Sequence, residues 1–186
     1  LRGSGLKGLV SLEKKNKSDN INLLRPLLDQ KKEDLIFLTK NIFSFYVKDP
    51  SNEDTKYQRI KIRQLIKKLE KDGLDKKKLA KTIDNLKFSN NVINFYVDEN
   101  LKKNTTFFKK KNKLLLNENF FQQPQEIIFR SFSDSIKLIG KKYYSVRGKK
   151  LDKVISDIEN KSILRVTLGG CIIEKVDQTV IISKEY

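Results

Sequence analysis

The chain has 186 residues, of which 38% are hydrophobic, and 40 basic residues against 23 acidic ones give a formal net charge of +17. It contains one cysteine and no histidine, which excludes an internal disulfide, a Cys/His zinc cluster and a Ser-His or Cys-His nucleophile. No apolar run reaches the length of a membrane span and no signal peptide opens the chain, so we expect a soluble, cytoplasmic protein.

Lysines outnumber arginines by 33 to 7. An AT-rich genome favours lysine codons, and this bias alone explains part of the positive charge. Acidic residues are available yet do not offset the lysines, which indicates a polyanionic partner, most simply a nucleic acid. The chain also lacks methionine and begins with Leu1. Because a complete translation product starts with Met, and its removal normally leaves a small residue, we expect an internal fragment of a longer protein.

The first ten residues, LRGSGLKGLV, contain Gly3, Gly5 and Gly8 in the spacing G-x-G-x-x-G. A dinucleotide-binding site needs a strand before these glycines and a long helix after them. Only two residues precede Gly3, and the segment after Gly8 is polar and short. Asp29, about 20 residues on, matches the expected ribose-binding acid. One acid in such a highly charged chain is weak support, so the pattern disfavours a dinucleotide site.

Residues 21–49 predict a strand–helix–strand unit, the arrangement found at the tail of an α/β domain. INLLRPLL (21–28) predicts a buried strand that stops near Pro26. Asp29 is placed to cap the following helix, which carries Leu35, Leu38 and Ile42 at helical spacing. A second strand is predicted over 43–49, because the residues of FSFYVKD alternate in character along the segment.

The remainder of the chain is mostly helical by pattern. One helix is predicted from Tyr57 to a stop at Gly73, and a longer one from about residue 75 to 103. TTFFKKKNKLLL (105–116) predicts a two-stranded element. Further helices are expected over 126–139 and 151–158, followed by two or three strands with turns at Gly169-Gly170 and 177–178.

Four stretches in order resemble the tRNA(Ile)-lysidine synthetase family: RGSGLKGL, RPLL, DPSNEDTKYQRIKIR and TLGGC, the last similar to its alphaproteobacterial branch. The third matches a family pattern of D-P-S-N-x-D, an aromatic residue, and two arginines four residues apart. The matching positions are Asp49, Pro50, Ser51, Asn52, Asp54, Tyr57, Arg59 and Arg63. Many members carry Asn after the first of these arginines, where this chain has Ile60.

The resemblance implies an α/β tail of a PP-loop (adenine nucleotide α-hydrolase-like) domain over 1–64. It also implies a mainly α-helical, tRNA-positioning domain ending in a small β element over 65–186. The family uses ATP, with Mg, to activate the wobble cytidine of tRNA(Ile), and lysine then displaces AMP to give lysidine. Its S-G-G-x-D-S loop and its H-x-x-D-D-like stretch are absent from these 186 residues. We therefore expect ATP to be bound mainly by residues outside the chain, and the fragment to be inactive alone.

The resemblance also suggests site residues. Arg2, Gly3, Ser4 and Gly5 would border the active site, either beside a phosphate or as a helix-ending loop with a solvent-facing arginine. Asp49, Ser51 and Asn52 bond their own backbone in a supporting loop, an interpretation favoured over substrate contact.

The basic residues are candidates for phosphate and tRNA contacts. Arg59 and Arg63 project from one helix face and would grip phosphates or clamp Asp49 and Asp54. Arg25 is a weaker candidate of the same kind.

A basic run that contains Phe107 and Phe108 includes Lys109, Lys110 and Lys111. The lysines are expected to face RNA or solvent, and the two phenylalanines to lie in the core. A second basic stretch, residues 141–153 with Tyr143 and Tyr144, invites the same two interpretations. Cys171 is expected to be a small buried residue at a strand start.

Two other functions stay open at this point. The first is a non-catalytic basic RNA-binding module, and the second is another PP-loop relative such as a tRNA thiolase, which the single cysteine disfavours. No metal site within the chain is expected. The expected partners are tRNA(Ile), lysine and ATP, with no membrane, and a homodimer is one alternative for the oligomeric state.

Overall fold

A computed structural model describes residues 5–10, 12–18, 21–52, 54–142, 145–160 and 165–185. The chain divides into two compact units, Leu1–Phe88 and Ser89–Tyr186. The mixture of helices with antiparallel sheets agrees with the predicted mixed class. The assignment of 1–64 and 65–186 to two functional domains stays a prediction. Across the described ranges, no helix has both the length and the apolar character needed to cross a membrane.

Among the described residues, the first unit contains three complete helices and one hairpin. Its elements are α1 (Gly5–Leu9), β1 (Lys15–Ser18), β2 (Ile21–Leu24), α2 (Lys32–Phe43), a 3-10 turn (Pro50–Asn52) and α3 (Gln58–Lys71). Helix α4 (Lys76–Asn104) begins in this unit and continues into the second.

The structure corrects three expectations for residues 21–49. A strand does form at β2 and ends before Pro26, but it is exposed, because its partner is the polar strand β1 in a two-stranded hairpin. Asp29 does not cap α2, which begins two residues after Gln30 with Lys31 at the N-cap. The strand predicted over 43–49 is also wrong. Helix α2 runs through Phe43, and Ser44 ends it at a φ of 62°.

The two central helices agree with the sequence pattern. Helix α3 ends just before Gly73, whose φ of 104° is accessible mainly to glycine. Helix α4 has 29 residues, of which Val97 is buried and Leu101 packs against the core of the second unit.

The first unit leaves most of its large apolar side chains exposed. Val10 and Ile60 are its buried hydrophobic residues within the described part of the chain. The exposed ones include Leu23, Leu24, Leu27, Phe37, Leu38, Ile42, Phe43, Phe45 and Val47. Apolar surface of this extent on one small unit is typical of a face that packs against further protein.

The second unit is built on a five-stranded antiparallel sheet in the order β3-β4-β7-β6-β5. Its strands are β3 (Thr105–Phe108), β4 (Lys113–Leu116), β5 (Arg165–Leu168), β6 (Cys171–Val176) and β7 (Thr179–Lys184). The predicted hairpin over 105–116 and the predicted C-terminal strands therefore belong to one sheet. They are joined where Leu116 pairs with Val180.

Helices α5 (Gln125–Gly140) and α6 (Gly148–Glu159) supply much of the rest of the core of this unit. Helix α5 follows Pro124, and Phe132, Ile136 and Ile139 on it are almost fully buried. They pack with Leu151 of α6 and with apolar residues of β4, β6 and β7. Each such side chain contributes about 2 kcal/mol by leaving water.

A polar seam joins α5 to α4 within the second unit. The Arg130 guanidinium, 6% exposed, donates from Nη1 to Asn90 Oδ1 (2.7 Å) and Asn94 Oδ1 (3.1 Å), and from Nε to Glu126 (2.7 Å). One turn further on, the Asn100 amide donates to Ser131 Oγ at 3.2 Å. These bonds satisfy polar groups that the apolar core could not.

Candidate functional site

The loop before α3 is held by the carboxylate of Asp49. Its Oδ1 accepts a hydrogen bond from the Ser51 backbone N–H at 2.9 Å, and its carbonyl accepts from Asn52 N–H at 3.1 Å. The Ser51 N–H and hydroxyl, followed by the charge of Arg59, hold the pKa of the Asp49 carboxyl below its usual value. The loop is thus closed on itself by short-range bonds typical of an Asx turn.

The next turn repeats this device and leads into α3. The Asp54 carboxylate accepts from Lys56 N–H at 2.9 Å, and Tyr57 then caps the helix without a side-chain bond. The Arg59 guanidinium lies 5.3 Å from the centroid of the Tyr57 ring, a cation–π distance. Arg59 therefore lies against the start of its own helix while contributing positive charge near Asp49.

A cavity of about 450 Å³ lies in the first unit beside this loop. Asp49, Asn52 and Arg63 line it together with Lys32, Lys48 and Lys67. Within the described lining there are four cations and one carboxylate, so the cavity suits an anionic group. Arg63 is part of this lining and Arg59 is not.

The three lysines of this cavity were missed by the sequence interpretation. Lys32 belongs to α2, Lys48 to the segment before the loop, and Lys67 to α3, one turn beyond Arg63. In a chain with so many lysines, their sequence positions carry no distinguishing signal. The i, i+4 spacing of Arg63 and Lys67 was available as a hint that they share a helix face.

Arg25 has a structural task in the hairpin of the first unit. Its Nη1 donates to the Glu13 carbonyl at 3.1 Å and its backbone N–H to the Lys14 carbonyl at 2.7 Å. It does not line the described cavity.

The other predicted border residues fall at the start of the chain. Arg2, Gly3 and Ser4 lie outside the described residues. Gly5 begins α1 with a φ of 60° and no neighbouring atom within 4 Å of where its Cβ would be.

Lys109, Lys110 and Lys111 form an exposed 3-10 turn between β3 and β4 of the second unit. The expectation that the neighbouring phenylalanines lie in the core is wrong, because Phe107 and Phe108 are 41% and 47% exposed on the edge strand β3. Exposed rings next to a lysine turn are compatible with stacking on unpaired bases. Tyr143 and Tyr144 of the other basic stretch lie outside the described residues.

Cys171 is buried at the first position of β6, as predicted, with its thiol donating to the Ile136 carbonyl at 3.4 Å. Elsewhere in the described ranges, no three Cys, Asp or Glu residues come together as a metal site.

The sequence of the chain matches known proteins in both units. A family model of the PP-loop domain matches residues 1–70, which include the hairpin, the Asp49 loop and most of α3. The tRNA(Ile)-lysidine synthase of Wolbachia pipientis wMel is 28% identical over 185 residues, covering 99% of this chain and 43% of that protein. The chain is similar to tRNA(Ile)-lysidine synthases over nearly its whole length.

Two further lysidine synthases support this relationship. That of Ruegeria pomeroyi is 28% identical over 172 residues, covering 92% of this chain and 40% of that protein. That of Bradyrhizobium diazoefficiens is 36% identical over 98 residues, covering 53% of the chain and 27% of that protein. The chain spans about two fifths of the length of the first curated lysidine synthases that it matches.

Proposed function

We propose that this chain is part of an ATP-dependent ligase that attaches lysine to the wobble cytidine of tRNA(Ile), forming lysidine and releasing AMP and pyrophosphate. The observation that carries the proposal is similarity to lysidine synthases along 99% of the chain. The tRNA thiolase alternative loses support, because the relatives found are named lysidine synthases. A cytoplasmic location belongs to the same proposal, since tRNA modification takes place where tRNA is used.

In this proposal, residues 1–64 are the rear of the PP-loop domain and residues 65–186 position the tRNA. The exposed apolar face of the first unit supports the first assignment, because a partial domain leaves its own core surface uncovered. The 186 residues contain no S-G-G-x-D-S loop, so this chain does not fit ATP with Mg by itself. We assign no step of the ATP chemistry to its residues.

The residues of the chain take binding and positioning roles. The cavity beside the Asp49 loop offers Arg63 to a phosphate group, while Asp49, Ser51 and Asn52 shape the loop around it. Arg2, Gly3, Ser4 and Gly5 border the reaction centre in this proposal. Arg25, Arg59 and the Lys109–Lys111 turn are further phosphate contacts for tRNA.

The test uses the full-length gene product, a tRNA(Ile) transcript, ATP and lysine. AMP release that depends on both lysine and tRNA is the expected result. Arg63→Gln should lower kcat/KM for tRNA about tenfold or more, because a charge-assisted contact is lost. Lys71→Gln, the same charge change on α3 outside the cavity lining, is the matched control and should change it less than about twofold. AMP release without lysine, or none with any tRNA, would contradict the proposal.

The second candidate is a non-catalytic basic RNA-binding module, favoured by the net charge of +17 and by the basic stretches that contain aromatic residues. Filter binding of tRNA over a salt series tests it. A steep fall of affinity with salt, together with no lysine-dependent turnover by the full-length protein, would favour this candidate. The same preparation, measured by light scattering, decides whether a homodimer forms.

A further inference from the structure

A second cavity, of about 420 Å³, lies in the second unit between the Gly169-Gly170 turn and the start of α6. Its polar lining is Lys142, Ser145, Arg147 and Lys150, and Val146 and Leu168 form its apolar walls. We call it the Gly169 pocket. Its polar lining belongs to the basic stretch over 141–153, for which contact with RNA was one of the two interpretations.

The charge of the Gly169 pocket is uncompensated. Three of its lining residues are cations, and its described lining contains no carboxylate. The ion pairs formed elsewhere in the described chain do not involve Lys142, Arg147 or Lys150. The backbone N–H of Glu185 donates to the Gly170 carbonyl at 3.0 Å, so Glu185 lies close to the pocket. Its side chain is not part of the lining.

The cations at the start of α6 oppose the helix dipole. Arg147 is the N-cap, Lys149 and Lys150 lie in the first turn, and that turn has neither an acidic residue nor a side-chain cap. The N-terminus of a helix is the positive end, so basic residues there are unfavourable in the free protein. Lys142 differs, because it follows the C-terminus of α5, where a cation is favourable. A bound anion would offset the mutual repulsion of Arg147 and Lys150 and their unfavourable interaction with the dipole.

The Gly169-Gly170 turn brings its main chain close to the Lys142 side chain. Gly169 and Gly170 have φ values of 65° and 77°, which only glycine adopts easily. A Cβ on Gly170 would lie 3.0 Å from Lys142 Cε, so the stem of Lys142 crosses the turn directly. A Cβ on Gly169 would lie 2.6 Å from Ile136 Cγ2 and 2.8 Å from Val146 Cγ2. The turn is thus packed tightly from the core side and presents its other side to the cavity.

We infer that the Gly169 pocket binds a phosphate group of an RNA backbone, held by Arg147, Lys150 and Lys142 at the N-terminus of α6. Free backbone N–H groups at a helix start, together with nearby cations, are a general arrangement for phosphate recognition. That the RNA is a tRNA rests on the proposed function. The phosphate chemistry itself does not.

The main experiment compares two charge-matched double variants of the full 186-residue chain. Arg147→Gln/Lys150→Gln removes two cations from the Gly169 pocket, and Lys149→Gln/Lys153→Gln removes two from the same helix outside the lining. Binding of a tRNA(Ile) transcript is measured from about 50 to 200 mM salt. The pocket variant should bind about tenfold more weakly at low salt, with a log–log salt slope smaller by about one. The control should change affinity about threefold or less. Equal effects of the two variants would overturn the inference.

A stability measurement separates binding from folding. Because the two cations oppose the helix dipole, the pocket variant should melt at the same temperature as the wild type or higher. If the double variant melts at a lower temperature, the single variant Arg147→Gln shows whether the weaker binding reflects a lost contact or a lost fold. It should weaken tRNA binding about threefold. No loss of binding by that single variant would also overturn the inference.

A phosphate titration distinguishes the source of the ligand. Inorganic phosphate added to the ¹⁵N-labelled chain should shift the amide signals of Gly148 and Lys149, and the pocket variant should lose these shifts. Shifts with phosphate but unchanged tRNA affinity in the variant would mean a small-anion site and would overturn the RNA assignment. All these measurements omit ATP and lysine. Failure of lysidine synthesis would therefore contradict the proposed function without contradicting phosphate binding at the Gly169 pocket.

Discussion

Asp49 shows how a single exposed carboxylate can hold a loop that precedes a helix. Its bonds to Ser51 and the nearby Arg59 charge favour the ionised form, which lowers its pKa below the ordinary value of 3.8. A group whose pKa is lowered on folding stabilises the folded form above that ordinary pKa. This contribution is lost as the pH falls through the lower, folded-state pKa.

The first prediction follows from that sign. The Ser51 amide should be protected from hydrogen exchange by the same factor at pH 6 and at pH 5, relative to an unstructured amide. It should lose part of this protection as the pH falls below 3.8, because a neutral carboxyl group accepts a weaker hydrogen bond. Asp49→Asn should retain part of the protection, since an amide oxygen also accepts a hydrogen bond, and should remove its pH dependence. Asp49→Ala should abolish protection at every pH. A pH-dependent signal in Asp49→Asn would show that another group holds the loop.

The second prediction concerns Gly169. Gly169→Ala should destabilise the second unit by about 3 kcal/mol, because the new methyl group meets Ile136 and Val146 and the backbone adopts a left-handed conformation. Gly148→Ala is the control in the same unit. Its Cβ would lie 3.7 Å from Phe129 Cζ, an ordinary contact, so its effect should stay within about 0.5 kcal/mol. Urea denaturation measures both variants, and equal effects would contradict this account of the turn.

At the scale of secondary-structure elements, α4 and α5 are joined by polar bonds inside an otherwise apolar core. Arg130 is their centre, and its Nη2 is buried without a hydrogen-bond partner among the described residues. A buried arginine in such a seam specifies how two helices align more than it adds stability. Removing it leaves the side chains of Asn90 and Asn94 without their donor.

The third prediction is that Arg130→Ala destabilises the second unit by about 3 kcal/mol, since buried acceptors are left unpaired. A double-mutant cycle with Asn90→Ala should give a coupling energy of about 1 to 2 kcal/mol. Glu126→Gln should lose less than about 1 kcal/mol, because Glu126 is 53% exposed. Additive effects of Arg130 and Asn90, measured by urea denaturation, would show that the seam does not couple the two helices.

The helices were largely predictable from the sequence, and the strands only in part. Leu and Ile at helical spacing defined α3, α4 and α5, because the apolar face of a helix is a local pattern. Strand pairing is not local, so neither the β4–β7 junction nor the β1–β2 hairpin could be derived from sequence periodicity. The prediction of a strand over 43–49 was wrong for the same reason. An alternating residue pattern gives a strand only where a neighbouring strand pairs with it.

At the scale of the whole molecule, the two units differ strongly in how much apolar surface they bury. The core cluster lies in residues 114–182, with Leu101 packed against it, whereas the first unit exposes most of its large apolar side chains. Local stability follows the density of buried apolar contacts. The cavity beside the Asp49 loop therefore lies in the less stabilised unit of this chain.

The fourth prediction is an ordered loss of structure. Native-state hydrogen exchange should show the highest protection in α5, β4, β6 and β7, and lower protection in α2 and α3. Limited trypsin digestion should cut first within residues 5–88, although lysines are abundant in both units. Equal protection of the two units would mean that the exposed apolar face is covered in solution by another copy of the chain, which light scattering would detect.

The candidate site was predictable only where residue type was informative. Arginine is scarce, with 7 residues among 40 basic ones, so Arg63 stood out and does line the cavity. Lys32, Lys48 and Lys67 could not be distinguished from the other lysines, because their convergence depends on how α2, the loop and α3 pack. Arg25, the weaker candidate of the same kind, lies outside the cavity lining, and its observed contacts close a hairpin.

The single thiol of this chain is shielded at the start of β6. Cys171 is fully buried, its Sγ–H donates to the Ile136 carbonyl, and burial raises its pKa to about 11. An alkylating dye needs an exposed thiolate, so the native chain should stay unlabelled while any molecule whose sheet has opened becomes marked. Labelling kinetics would thus time the opening of the second unit in the unmodified protein, with no competing sulfur to confuse the signal.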